Sequence, residues 1–399
     1  MTQENNLIFD SRLLDKEENV LIIIDPIKNN QPKNRVYWAD CLRIFSMLNI
    51  ILLHCANCTY EKELVERKDK NVIYVCIYNC VTCFAVPVFV MLSGTFFLDP
   101  NKKFSFKRLI KKNISRLLTA FYFWSAINGF INVMKPKNGP SIFSSEFIKK
   151  FFVCFFTGEE YLWFILMIIG CYLCIPILRR ISDNIVTMRY FLGLWIIWGS
   201  VIPTIRDVLN MSNTETVGIA FSTWIDRWHF HFTLEYIGYF VAGYYIFKYV
   251  NIENIKYRII LYILGLFDLI IIISSCIVSE IKAGTFFSYV RDCMTITTIF
   301  YSLVIFIFFK HEIGIIHFSK TATKSITKFS SLTFGMYLSH IVIRSIFFKY
   351  LNINQDHMGD NIHYSPLFGI PFLFITISSI CLLISAVISK IPILNKYII

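Results

Sequence analysis

One apolar run of this chain, "WADCLRIFSMLNIILLHC" from Trp38 to Cys55, carries two groups that hydrocarbon does not readily hold. Arg43 lies one turn in, His54 lies near the far end, and ten residues without formal charge separate them. A guanidinium presents a planar fork of donors that matches phosphate. An imidazole titrates near neutrality and is suited to taking a proton from a hydroxyl. At 100° per residue, eleven positions amount to about 1100°, so both side chains leave nearly the same helix face, about 16 Å apart along the axis. Asp40, three residues before Arg43, is within pairing reach on that helix. Beside this stands a structural reading, in which Arg43 snorkels to the headgroups next to Asp40 and His54 is a hydrogen-bonded packing residue. Ionisable groups inside a membrane are costly and mark functional sites, and two on one face strengthen that reading.

The elements that hold this pair follow from composition. The chain has 399 residues, 55% of them hydrophobic and 17% aromatic. Repeated apolar runs of about 20 residues match the length of a membrane-crossing helix. They exclude a transmembrane β-barrel, whose sign is ten-residue alternation. The fold expected is all-α, a polytopic membrane bundle of about ten helices. The spans are approximately 37–57, 72–98, 117–134, 161–178, 188–205, 231–250, 258–280, 286–309, 332–351 and 367–389. Residues 141–156, "SIFSSEFIKKFFVCFF", mix aromatics with Glu146, Lys149 and Lys150, as suits a helix lying in the interface.

With the N-terminus inside, 24 of the 39 Lys and Arg residues fall in cytoplasmic segments and 11 in outer loops. Both termini are then cytoplasmic, and the formal charge of +12 reflects loop bias, not nucleic-acid binding. The expected organisation is a cytoplasmic tail over 1–36, a membrane domain over 37–390 and a short tail over 391–399, with no signal peptide. Of the 12 cysteines most lie in apolar runs, where a thiol serves as a small hydrophobe. Cys55 and Cys58 form an isolated C-x2-C, His229 and His231 stand two apart, and no metal is expected from either.

The pair Arg43-x10-His54 resembles the signature of the acyltransferase-3 family of integral membrane O-acyltransferases. Other segments are similar to the family's landmarks in the same order: "PVFVMLSGTFF" (87–97), "FKRLIKKNISRLL" (106–118), "YLWFILMIIGCYLCIPIL" (161–178), "EYIGYFVAGYYI" (235–246) and "LTFGMYLSHIVI" (332–343). The similarity spans roughly residues 35 to 389 and is nearest to the short branch that includes enterobacterial-common-antigen O-acetyltransferase. The soluble esterase-like domain of some relatives is expected to be absent. One departure is "LLTAFYFW" (117–124), which lacks the proline expected near Thr119 or Ala120 and puts the third helix's geometry in question.

The resemblance implies transfer of an acetyl group from cytosolic acetyl-CoA to a hydroxyl of a lipid-linked or cell-surface saccharide, by a multi-pass protein of the cell membrane. Arg43, Arg108 and Arg116 would meet the nucleotide phosphates, as Arg suits phosphate. His54 would act as general base or carry the acetyl group transiently, two routes left open. The basic loop equally suits topology and anionic lipid. Candidate cavity residues are Asp40, Ser93, Trp163, Glu235, Tyr337 and His340. Plain alternatives are close packing for Ser93, an interfacial belt for Trp163 and helix contacts for Tyr337 and His340. Arg291 and Asp292 suit an intramembrane salt bridge. Implied partners are acetyl-CoA, a saccharide acceptor and membrane lipids, with no nucleic acid and an open oligomeric state. A transporter or flippase of polysaccharide intermediates is the rival reading, against which no inverted repeat or paired broken helices are evident.

Overall fold

A helix lies in the described part of each expected segment of the computed structural model, which describes residues 35–56, 71–134, 144–211, 215–227, 235–283, 292–359 and 362–398. Eight helical stretches among these are long and apolar enough to cross a bilayer. The two expected spans outside that set have physical reasons to differ. One helix, Ser115–Val133, carries Arg116, Thr119, Ser125, Asn128 and Asn132. The other, Tyr236–Tyr249, has 14 residues, about 21 Å of helix, and is largely buried among its neighbours.

In chain order the elements that matter here are α1 (Tyr37–Ala56), α2 (Val72–Thr82), α3 (Ala85–Phe97), α4 (Ser115–Val133) and α5 (Ser145–Thr157). They are followed by α6 (Trp163–Leu173), α7 (Ile175–Asp183), α8 (Ile185–Ile196), α9 (Ile202–Met211), α10 (Glu215–Arg227) and α11 (Tyr236–Tyr249). The last are α12 (Ile255–Ala283), α13 (Ile296–Phe308), α14 (Lys320–Lys349), α15 (Pro366–Ser389) and α16 (Pro392–Tyr397). A two-stranded hairpin, β1 (His357–Met358) with β2 (Ile362–His363), lies between α14 and α15.

Prolines set the breaks. Pro87 lacks the N–H that would have reached back to Cys83, and the second span divides there into α2 and α3. Pro203, near the start of α9, follows a π-helical turn over Ile197–Val201 that ends α8. Where the expected proline is missing, at Thr119 and Ala120, α4 runs unbroken. The described part of 141–156 is the helix α5, which buries only Phe147, exposes Ile148, Phe152, Val153 and Phe156, and belongs with α6 to a stretch long and apolar enough to span. Ser144 caps it by accepting from the Phe147 N–H, and Gly158, at φ 72°, ends it.

Between helices in lipid, close packing and hydrogen bonds do the work that hydrophobic burial does in water. Two glycines show how close. A Cβ on Gly94 of α3 would lie 1.7 Å from the Phe240 carbonyl oxygen of α11, and one on Gly243 would lie 2.0 Å from that of Met91. These reciprocal contacts bring the α3 and α11 backbones together. At the centre stands α1, packed against α2, α3, α14 and α15. Residues 1–34, Cys58 with its loop, His229, His231 and Arg291 lie outside the described residues, so the readings placed on them do not enter the site.

Candidate active site

The site is built on two parallel helices, α1 and α14, each contributing a polar group near either end of their contact. At the first end, Asp40 is buried and gathers three donors. Arg35 Nε donates to its Oδ2 at 2.7 Å, Arg43 Nη1 to its Oδ1 at 3.0 Å and Ser330 Oγ to its Oδ1 at 2.7 Å. Arg43 Nη1 also lies 2.9 Å from Ser330 Oγ, which ties α1 to α14. Two guanidiniums against one carboxylate leave a net positive charge at this spot, and the Arg43 side chain keeps 15% of its surface exposed. A fork held in place and incompletely neutralised is suited to an anion.

Arg116 joins the same face of α14 from α4. Its guanidinium sits over the Phe334 ring, 5.9 Å from the centroid, one turn beyond Ser330. Ser93 of α3 is half-buried and donates to the Phe89 carbonyl of its own helix at 3.2 Å. Arg108 is not part of this cluster. It lies exposed in the short turn Phe106–Arg108, with its backbone N–H donating to the capping Ser105.

At the other end His54 faces His340, with ring centroids 5.0 Å apart. From Ser330 to His340 is ten residues of α14, about 15 Å, which matches the Arg43-to-His54 rise on α1. His54 is half-buried, whereas His340 is 1% exposed. The Nδ1 of His340 contacts the Tyr337 carbonyl, which can only accept, so Nδ1 carries the proton. Neutral His340 therefore presents Nε2 as an acceptor, buried and without a hydrogen-bond partner among the described residues. Tyr161 braces this end: its hydroxyl donates to the Leu338 carbonyl at 2.9 Å and receives Asn128 Nδ2 at 2.9 Å. Tyr337 donates to the Tyr161 carbonyl in turn.

The carbonyls of the last turn of a helix need outside donors. Arg344 Nη1 donates to the His54 carbonyl at 2.7 Å, and buried Gln355 donates to the Cys55 carbonyl at 2.8 Å. The backbone that carries the imidazole is thus pinned from α14 and from the segment after it.

Trp163 and Glu235 sit off this axis. The Trp163 ring packs on Tyr236 at 5.3 Å and is 41% exposed, as suits a belt residue. Exposed Glu235 adopts φ 63° and accepts the Trp195 indole N–H on its carbonyl, a backbone role at the start of α11. The structure therefore brings Asp40 and Arg43 together at one end, with Arg116 one turn along α14, and His54, Tyr337 and His340 at the other, while Ser93 bonds within α3. Sequence reasoning missed Arg35, Ser330, Arg344 and Tyr161. Arg344 alone bore a readable sign, a cation one turn after His340 within an apolar segment.

A family model described as an acyltransferase domain, that of the acyltransferase-3 family, matches residues 36–389. None of the curated proteins and none of the solved structures compared matches the chain. The match covers nearly the whole sequence, and the chain belongs to this family; it is a membrane acyltransferase.

Proposed function

We propose, with family membership as the premise, that the protein moves an acetyl group from cytosolic acetyl-CoA to a saccharide hydroxyl. The acceptor is lipid-linked or on the cell surface, as in the enterobacterial-common-antigen branch, and the protein resides in the cell membrane. The carrying observation is that Arg43 and His54, eleven residues apart on α1, both meet α14, one at Ser330 and one at His340.

The roles follow from what each end leaves unsatisfied. Arg43, with Arg116 nearby, takes the donor's phosphates, because the cluster around Asp40 carries surplus positive charge. His54 is the accessible member of the imidazole pair and takes the proton of the attacking hydroxyl as the new ester bond forms and the thioester bond breaks. Its proton then goes to the departing thiolate. His340, buried and with its acceptor nitrogen fixed, orients His54 from behind. Arg108, exposed and apart, serves topology and lipid headgroups in this reading.

The test is His54→Ala, with acetylated glycan measured by mass spectrometry and protein abundance in the membrane measured in parallel. Loss of the acetyl increment at unchanged abundance is expected. Retained acetylation would overturn the role given to His54.

A further inference from the structure

Away from the α1–α14 site, three cysteines converge from two helices. Cys76 and Cys80 are four apart on α2 and so share one face, and Cys276 comes from α12. All three are 0% exposed, and their sulfur atoms lie within 4.8 Å of one another. The Cys76 and Cys80 sulfurs are 4.0 Å apart.

We propose that this cluster is a soft-metal site that binds Cu(I) through three sulfurs and fastens α12 to α2. A metal–sulfur bond of about 2.3 Å in a trigonal plane sets the sulfurs about 4.0 Å apart, which is the spacing found between Cys76 and Cys80. A disulfide fits less well: it would draw two of the sulfurs to about 2.05 Å and leave the third out. Thiolates select Cu(I), zinc or iron–sulfur clusters. Zinc takes four ligands in structural sites, and the cluster supplies three. Cu(I) accepts three, and each thiol that binds as thiolate releases its proton to water before α12 closes over the site.

The place gives the ion a purpose. Only 22% of the apolar window of α12 is buried, the smallest share among the eight stretches long enough to span. Hydrocarbon offers such a helix no hydrophobic drive toward the bundle, so a bond between helices has a large relative effect. Because the sulfurs are sealed from solvent, loading accompanies the docking of α12 during folding, not a later stage. The inference is independent of the acyl-transfer chemistry, since none of the three cysteines belongs to that site.

The protein is expressed with copper in the growth medium and purified anaerobically in detergent. Copper and zinc per chain are then counted by inductively coupled plasma mass spectrometry, and the copper environment is read by X-ray absorption. About one copper per chain with sulfur-only ligation is expected, falling at least tenfold in Cys276→Ser. Cys80→Ala probes the same cluster from the other helix if the first variant does not fold, and Cys174→Ser, outside it, should keep the metal. Copper below a tenth of an equivalent, zinc in its place, equal copper in the cluster variants, or oxygen and nitrogen ligation would each overturn the proposal.

Discussion

The two ends of the α1–α14 pair use similar residue types in opposite ways. Around Asp40 the hydrogen bonds close on the carboxylate, which takes two guanidiniums and a hydroxyl, and what is left over is positive charge with the Arg43 donors beyond Nη1. Around His54 the backbone is as firmly held, by Arg344 and Gln355, and the His340 ring is held on one nitrogen only. His340 has a buried acceptor nitrogen to spare, and His54 is open on one side. A closed network with surplus charge suits binding an ion of opposite sign. A pinned backbone carrying an unfinished ring pair suits moving a proton. Substitutions at the first end should therefore act on stability and donor affinity, and those at the second on turnover.

The largest expected effect is at the open end. General-base catalysis contributes roughly 10²–10⁴-fold, so His54→Ala should reduce turnover by at least about 100-fold with little change in thermal stability. Comparable loss of stability would make the two ends alike and break the contrast.

Next is Asp40→Ala, which leaves the Arg35 and Arg43 cations beside Ser330 without a counter-charge. Removing one partner of a buried ion pair costs about 3–5 kcal/mol, and Arg35 is partly exposed, so the lower figure applies. The check is abundance and thermal midpoint in detergent, which should both fall.

A smaller change is Arg43→Lys. It keeps the charge and loses both the planar fork and the Nη1 that reaches Asp40 and Ser330 together, so the KM for the acetyl donor should rise about tenfold in steady-state assays while kcat holds. Smallest is Ser330→Ala. A hydrogen bond to a charged group contributes about 1.5–3 kcal/mol, but Arg43 retains Asp40, so a rise of a few-fold in the same KM is expected.

What could be read from the sequence was whatever lies on one helix. Arg43, His54 and Asp40 share α1, and fixed helical geometry relates them without tertiary knowledge. The spans came through because hydrocarbon demands long apolar runs, and only α4 and α11 fell short, one too polar and one too short. Ser330 and Tyr161 carried no sign, because a serine or tyrosine at the edge of an apolar run is ordinary until a distant partner is placed beside it. Arg35 was assigned to the tail, though it folds back five residues to Asp40. Arg108 and Arg116 looked equivalent in a basic stretch, but only Arg116 reaches α14. Cys276 stands 196 residues from Cys80, so no spacing rule could join it to the pair on α2.

The most direct test of the division between the ends is one kinetic comparison on purified protein, with acetyl-CoA varied at saturating acceptor. The account predicts that Arg43→Lys raises the KM for acetyl-CoA and spares kcat, while His54→Ala abolishes kcat and leaves donor binding intact. Full turnover in the His54 variant, or a kcat loss with unchanged KM in the Arg43 variant, would contradict it.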